Sequence, residues 1–286
     1  MLSLKLEIII IAILTAITCV LPGVFLVLRG VAMMSDAISH AILLGIAIMF
    51  LWVRKLESPL LVIGAALSGV FTVVCTQMII KSKRLKSDAA IGLIFPLFFS
   101  VGVILISQYA RNVHIDMDMV LLGEIAFTPF NRLFINDIDC GPYALWIVGC
   151  SLIVNSLFVF LLYKELVITT FDATLACMSG FAPGVFYYAL MILTSLTAVA
   201  AFDIVGSIMV VAFMITPPAA AYLLTHCVKK MIMLSIVIAT LCAIFGCLFA
   251  SLYDVSIAGS IATMTGLFFV GGLIYLFLFH KNNIRS

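Results

Sequence analysis

The hydrophobic positions of this chain fall into long, nearly uninterrupted runs separated by short polar stretches. A helix needs roughly twenty apolar residues to cross the hydrocarbon core of a bilayer. The runs therefore predict an all-α protein, a polytopic transmembrane helix bundle of about eight to nine spans. One run, 204–226, contains Pro217 and Pro218 and could instead be a half-helix with a short tail. The predicted spans lie at about 6–28, 31–53, 59–80, 89–108, 143–163, 184–202, 204–226, 231–252 and 257–279.

Composition agrees with this pattern. The chain has 286 residues, of which 65% are hydrophobic and only 10% charged, whereas a soluble domain has about a quarter of its residues charged. We therefore expect one transmembrane domain over residues 1–286, in contact with membrane lipid. The first run reads as a retained span and not a signal peptide, because no small-residue cleavage pattern follows it. A net charge of +2 gives no reason to expect a nucleic-acid partner.

The basic residues predict the orientation, because Lys and Arg favour cytoplasmic loops. If the basic stretch 81–86 is cytoplasmic, ten Lys and Arg residues fall inside and five outside. The amino terminus is then outside and the carboxyl terminus inside, in the cytoplasmic membrane. Residues 109–142 become an external segment, and residues 164–183 become the largest cytoplasmic connection.

The external segment carries polar residues with two open interpretations. His114, Asp116 and Asp118 form the sequence HIDMD, which could collect cations or could be an ordinary exposed charged loop. Glu124 lies in an apolar part of the segment and would need a partner if that part enters lipid. Asp203, at the predicted external turn between two spans, is expected to cap a helix, although it could also lie at an external mouth.

The connection 164–183 can form a short amphipathic helix. Thr170 or Asp172 would cap its start, Leu175 and Met178 would form one face, and Gly180 followed by Pro183 would end it.

The stretch SDAISHAILLG, residues 35–45, places two ionisable residues at the cytoplasmic start of an apolar run. Asp36 and His40 are four residues apart and so lie on one face of a helix. Ionisable groups in hydrocarbon are costly, which makes the pair a functional-site hypothesis. A carboxylate oxygen and an imidazole nitrogen suit zinc, manganese or iron(II). In the alternative, Asp36 bonds a helix end and His40 bonds a neighbouring helix.

Several kinds of catalytic motif are absent from the sequence. It contains no GxxxxGK, HExxH, GxSxG or CxxC pattern. We therefore expect no enzymatic activity and no permanently bound cofactor, and any energy for transport must come from a partner or an ion gradient.

Four stretches together resemble the permease subunit of metal-type ABC importers, the zinc, manganese and iron(II) uptake family. Their order and spacing also match, and the resemblance covers nearly the whole chain. Small residues within the spans, such as Gly64 and Gly69, favour the close helix packing of such a bundle. The four stretches are VLRGVAMMSDAISHAILLGIAI (27–48), KSDAAIGLIFPLFFSVGVILIS (86–107), TTFDATLACMSG (169–180) and DIVGSIMVVAFMITPPAAAYLLT (203–225).

The resemblance implies a type II ABC importer-like permease that works as a dimer, with either an identical copy or a related permease. Two cytoplasmic ATP-binding subunits would drive it, and an extracytoplasmic metal-binding protein would supply it. Asp36 and His40 match the residues that contact the metal in the pathway, and Ser39 lies beside them. Residues 169–180 match the segment that docks on the ATPase, which gives as coupling residues Phe171, Asp172, Leu175, Ala176 and Gly180.

These features predict the permease subunit of an ATP-driven importer for a divalent transition metal. A dimer would bring two Asp36–His40 pairs toward a shared axis. The rival hypothesis is a proton-coupled secondary metal transporter in which Asp36 and His40 form a proton relay. The sequence leaves open which metal is carried, because zinc, manganese and iron(II) all accept these ligands.

Overall fold

A computed structural model of the chain describes residues 2–54, 59–109, 125–135 and 138–283. Helices dominate these ranges, as the sequence predicts, and a two-stranded antiparallel hairpin is an addition that the sequence did not predict. The helices are α1 (Leu2–Leu28), α2 (Met33–Val53), α3 (Pro59–Lys81), α4 (Ser87–Tyr109), α5 (Tyr143–Leu161), α6 (Tyr163–Phe171), α7 (Ala173–Met178), α8 (Pro183–Leu224), α9 (Val228–Tyr253) and α10 (Ile257–Asn283). The hairpin strands are β1 (Arg132–Ile135) and β2 (Ile138–Pro142), preceded by a 3₁₀ turn at Thr128–Phe130.

Eight of the helices in the described residues are long and apolar enough to cross a membrane. They are α1 to α5 and α8 to α10, and the short helices α6 and α7 lie in the predicted connection 164–183. The predicted membrane bundle is therefore confirmed.

The longest helix, α8, folds back on itself. Its 42 residues contain one non-helical residue, Gly206, at φ 76° and ψ 167°, a conformation that glycine adopts without steric cost. A straight helix of that length would measure about 63 Å, twice the ~30 Å hydrocarbon core. Early in α8, the ring of Tyr187 lies 5.7 Å from Cζ of Arg29, and just after α8, Nζ of Lys229 lies 5.6 Å from the ring of Tyr163.

Both ends of α8 therefore lie at the same end of the bundle, since Arg29 also contacts the helix that begins at Tyr163. The chain crosses the bundle once before Gly206 and returns after it. Counting α8 twice gives nine crossings among the described residues, in agreement with the nine apolar runs of the sequence.

The sequence placed a turn between the spans 184–202 and 204–226, close to the observed break at Gly206, but it also expected an irregular point at Pro217 and Pro218. Pro217 and Pro218 are buried inside the helical part of α8, and Asp203 lies within α8, exposed, rather than capping a helix. The physical reason is that packed neighbouring helices can accommodate a proline within a span, whereas a positive φ is available cheaply only to glycine.

The core forms around α8, which packs against α1, α2, α9 and α10. Its fully buried side chains include Phe213 and Met214. At the most intimate crossing, a Cβ added to Gly23 of α1 would lie 2.1 Å from the carbonyl oxygen of Met214. A glycine there lets the two backbones touch, so α1 and the returning half of α8 form the rigid centre of the bundle.

The two ends of the bundle differ in the groups that they hold. The end that contains Arg29, Lys81 and Lys229, called the basic end below, also holds α6 and α7. At the opposite end, Nζ of Lys5 donates to Oγ of Ser251 at 2.6 Å, and Nη2 of Arg132 in the hairpin lies 3.1 Å from Oε1 of Glu7. This grouping of basic residues matches the one that the charge pattern predicts.

Candidate metal pathway and coupling segment

Helix α2 starts close to the basic end, directly after a tight turn. The turn passes through Gly30 at φ 66°, and backbone N–H groups of Gly30 and Val31 donate to Val27 and Leu26 at 3.0 Å. Asp36 falls in the first turn of α2, where the exposed N–H groups and the helix dipole favour a negative charge. The local sequence thus places a carboxylate beside the free N–H groups at the start of α2.

Asp36 and His40 are in direct contact on α2. Nε2 of His40 lies 3.3 Å from Oδ1 of Asp36, and the two side chains remain 27% (Asp36) and 25% (His40) exposed. Their neighbours Ala37, Ile38 and Ala41 are completely buried. The pair therefore occupies a side of α2 that the described part of the chain leaves partly open.

Two phenylalanines of α4 hold the imidazole of His40. The ring centroid of Phe95 lies 5.5 Å from that of His40 in a tilted arrangement, and that of Phe99 lies 5.4 Å away, edge to face. Such separations are favourable for aromatic pairs. The two phenylalanine rings thus pack against the imidazole whose Nε2 atom faces Asp36. The sequence analysis missed this role, because phenylalanines in an apolar run read as packing residues.

The pair is an incomplete ligand set within one chain. Among the described residues, no group of three or more His, Cys, Asp and Glu side chains could hold a metal ion. Zinc in proteins usually has four ligands, and this pair supplies one oxygen and one nitrogen. Water or a second protein chain would have to provide the remaining ligands, which is compatible with a site that binds an ion and releases it.

The other candidate residues are distributed as follows. Ser39 is buried, and its hydroxyl donates to the carbonyl oxygen of Ser35 at 2.9 Å, so it lies beside the pair but on the packed side of α2. His114, Asp116, Asp118 and Glu124 lie outside the described residues.

The connection 164–183 contains two short helices joined at Asp172. Oδ1 of Asp172 accepts hydrogen bonds from the backbone N–H groups of Thr174 and Leu175, both at 2.9 Å, and so caps α7. Gly180, at φ 83°, ends the segment before α8 begins at Pro183. The predicted cap at Asp172 and stop at Gly180 are confirmed. Thr170, the alternative cap, lies inside α6.

This connection has a buried side and an exposed apolar side. Ala176 is completely buried, whereas Phe171, Leu175 and Met178 are 63%, 52% and 83% exposed. Exposed large apolar side chains are typical of protein-binding surfaces. Phe171, Leu175 and Met178 are called the apolar knob below.

Arg29 connects this segment to the rest of the bundle. Its Nε donates to Oγ1 of Thr170 at 3.1 Å, and its Nη2 donates to Oγ1 of Thr169 at 3.0 Å. Burial lowers the pKa of the Arg29 guanidinium, and Tyr187 raises it, but arginine remains protonated at physiological pH. In the sequence, Arg29 counted only as a topogenic charge. Its place in a tight turn between two spans was the signal that could have singled it out.

Comparison with known proteins gives matches along nearly the whole chain. A family model described as the ABC 3 transport family matches residues 1–276. The manganese transport system membrane protein MntD of Bacillus subtilis is 43% identical over 263 residues, which cover 92% of this chain and 89% of MntD. The zinc transport system membrane protein TroD of Treponema pallidum is 45% identical over 273 residues, which cover 95% of this chain and 73% of TroD.

A solved structure has a similar fold. PsaBC from Streptococcus pneumoniae, determined in complex with a Fab, includes a chain that superposes with a TM-score of 0.76 at 30% identity. The superposition covers 93% of this chain and 89% of the other. The superposition therefore includes almost all of the described crossings and of the connection 164–183.

Proposed function

Because this chain belongs to the ABC 3 transport family, we propose that it is the membrane subunit of an ATP-driven importer for a divalent transition metal. It is a metal-type ABC transporter permease, a multi-pass protein of the cell membrane. The proposal adds the direction of transport, the energy source and the residues that contact the ion.

The observation that carries the proposal is the Asp36–His40 pair on the open side of α2. An ion entering the bundle loses water ligands, and the carboxylate of Asp36 and the imidazole of His40 would replace two of them. Two protein ligands hold an ion weakly, so the ion can leave toward the basic end, which we assign to the cytoplasm.

A second permease copy would complete the pathway. Within the described residues the pair supplies only two donors, and the exposed fraction of both side chains lies on a side of α2 that the described residues leave uncovered. A second chain, identical or related, facing that side would bring the donor set to two oxygens and two nitrogens. Such a mixed set suits zinc, manganese and iron(II) alike.

ATP-binding subunits would dock on the apolar knob. The knob is held in shape by the Asp172 cap on one side and by buried Ala176 on the other. Closure of the ATPase pair would move α6 and α7, and α8 would follow because it starts directly after them. The permease itself then needs no catalytic residues, and a metal-binding protein would deliver the ion at the opposite end.

The names of the relatives suggest which ions to test first. MntD is named for manganese at 43% identity and TroD for zinc at 45%. Since an Asp and a His serve both ions, we propose manganese and zinc as the first two ions to test and keep iron(II) as the third.

The experiment that tests the proposal is affinity purification of the tagged permease from cells that express the whole transporter, followed by measurement of Mn²⁺ and Zn²⁺ uptake. We expect the ATPase subunit to co-purify with the wild-type chain. The ATPase subunit should not co-purify with the Leu175→Asp or Met178→Asp variant, because a charge placed in an apolar contact must be desolvated.

The matched control is Leu85→Asp, which also changes an exposed leucine, 42% exposed, in the turn between α3 and α4 but outside the knob. It should retain the ATPase. Metal uptake that continues in cells without any ATPase subunit would overturn the proposal in favour of the proton-coupled transporter.

A further inference from the structure

One charged side chain joins four parts of the basic end. Arg29, in the turn between α1 and α2, donates to Thr169 and Thr170 of α6 at 3.0 and 3.1 Å. Its guanidinium also lies 5.7 Å from the ring centroid of Tyr187 in α8. The hydroxyl of Tyr187 in turn accepts a hydrogen bond from Nε2 of Gln77 in α3. The turn before α2, the connection 164–183, α8 and α3 therefore meet at Arg29.

The two threonine hydroxyls are oriented to receive Arg29. Oγ1 of Thr169 donates its proton to the carbonyl oxygen of Glu165 at 2.7 Å, and Oγ1 of Thr170 donates to that of Leu166. Each hydroxyl has only one proton, so its oxygen is left as an acceptor for the guanidinium. The planar fork of arginine supplies two donors in a fixed relation, which a lysine ammonium cannot do in the same way.

Arg29 is also rigidly joined to the helix that carries Asp36 and His40. The turn between Arg29 and α2 is closed by backbone hydrogen bonds from Gly30 and Val31 to α1, and Met34 N–H donates to the carbonyl oxygen of Val31, each at 3.0 Å. Arg29 is therefore separated from the start of α2 by a short, hydrogen-bonded turn and not by a flexible loop.

From this arrangement we propose that Arg29 is the positioning residue that transmits movement of the connection 164–183 to α2, and so to the Asp36–His40 pair. The inference rests on the proposed function, since it assumes that an ATPase moves this connection. It goes further in assigning the transmission to one side chain and its two threonine partners. Loss of the Arg29–threonine contacts would leave the ATPase bound and hydrolysing ATP while the ion pathway fails to follow.

The test uses the complete transporter in proteoliposomes with its metal-binding protein, measuring Mn²⁺ uptake and phosphate release in the same sample. The variants are Arg29→Gln and the pair Thr169→Val with Thr170→Val, which is close to isosteric and leaves the arginine in place. We expect both to lower the Mn²⁺ transported per ATP hydrolysed by about tenfold or more, because hydrogen bonds to a charged group are among the stronger ones. Arg29→Lys keeps the positive charge but lacks the two-donor guanidinium. Its Mn²⁺ transported per ATP hydrolysed should lie between the values of these variants and the wild type.

The matched control is Lys81→Gln. Lys81 is another basic-end cation, 5.8 Å from the ring of Tyr188, and its side chain makes no hydrogen bond or ion pair to the described residues of α6 or α7. Its Mn²⁺ per ATP should equal that of the wild type.

An unchanged ratio in the Thr169→Val, Thr170→Val variant would overturn the inference. Loss of the ATPase from Arg29→Gln would also overturn it, because Arg29 would then support docking and not transmission. Failure of the wild-type complex itself to bind an ATPase or to move Mn²⁺ or Zn²⁺ is a separate result, which overturns the proposed function before any variant is compared.

Discussion

Nε2 of His40 lies 3.3 Å from Oδ1 of Asp36, one helical turn away on α2. The two atoms are close enough for a divalent cation to bridge them after a small side-chain adjustment, since metal–ligand bonds to oxygen and nitrogen are about 2.0–2.2 Å. The two side chains are a quarter exposed on a helix whose adjacent positions are buried. This contact is the geometric basis of the proposed pathway.

The aromatic rings of α4 are expected to tune how well His40 binds an ion. Phe99→Leu removes an edge-to-face contact at 5.4 Å and should let the imidazole rotate away from Asp36. The Mn²⁺ concentration for half-maximal uptake should rise by about twofold to tenfold, as expected from the energy of one aromatic pair. Uptake measured against Mn²⁺ concentration checks this.

A control for this prediction lies on the same helix. Phe98 is buried and stacks on Phe71 at 5.5 Å, away from His40. Phe98→Leu should lower the thermal stability while leaving the Mn²⁺ concentration for half-maximal uptake unchanged. Equal effects of the two substitutions on that concentration would show that the rings act only through packing.

The contact between α2 and α3 is expected to tolerate no side chain at Gly45. A Cβ there would lie 2.2 Å from the carbonyl oxygen of Gly64 and 2.5 Å from Oγ of Ser68. Gly45→Ala must push the two backbones apart and should lower the free energy of unfolding by about 1–3 kcal/mol. The midpoint of thermal unfolding in detergent measures the effect.

Gly149 provides the comparison for Gly45. It lies in α5, where an added Cβ meets no described atom within 4 Å, and alanine favours helix over glycine by up to about 1 kcal/mol. Gly149→Ala should therefore leave the midpoint of thermal unfolding unchanged or raise it. A similar fall for both variants would contradict the account of close packing.

The cap at Asp172 is expected to act through its hydrogen bonds. Asp172→Ala removes both acceptor contacts to the backbone of α7 and should destabilise that helix by about 1 kcal/mol, which loosens the apolar knob. Less ATPase should then co-purify. Asn is as good a helix cap as Asp, so Asp172→Asn should retain the ATPase. If Asp172→Asn loses as much ATPase as Asp172→Ala, the charge and not the cap is what matters.

Local patterns in the sequence were sufficient for the spans, the Asp172 cap and the Asp36–His40 pair. Each of these depends on residues a few positions apart, through hydrophobic run length, the helix-capping preference or the four-residue repeat of a helix face. The grouping of Arg29, Lys81 and Lys229 at one end of the bundle was readable for the same reason, since each lies directly beside a span.

Features that depend on contacts between distant parts of the chain could not be read in the same way. The contact of the hairpin with α1 is made by Arg132 and Glu7, which are separated by 125 positions. The rings around His40 come from another helix, and the partners of Arg29 lie 140 and 141 positions away. The turn between the spans 184–202 and 204–226 was readable from the apolar runs, but its exact place at Gly206, with its positive φ, was not, because the chain contains 18 glycines.

The most direct test of the central claim is the rate of Mn²⁺ and Zn²⁺ uptake by the complete transporter in proteoliposomes, compared for wild type, Asp36→Asn and His40→Gln. Both substitutions keep the approximate side-chain size while removing one ligand atom of the proposed site. We predict that each lowers uptake by about tenfold or more while the permease still inserts and still co-purifies with its ATPase. Wild-type uptake by both variants would contradict the assignment of Asp36 and His40 to the metal pathway.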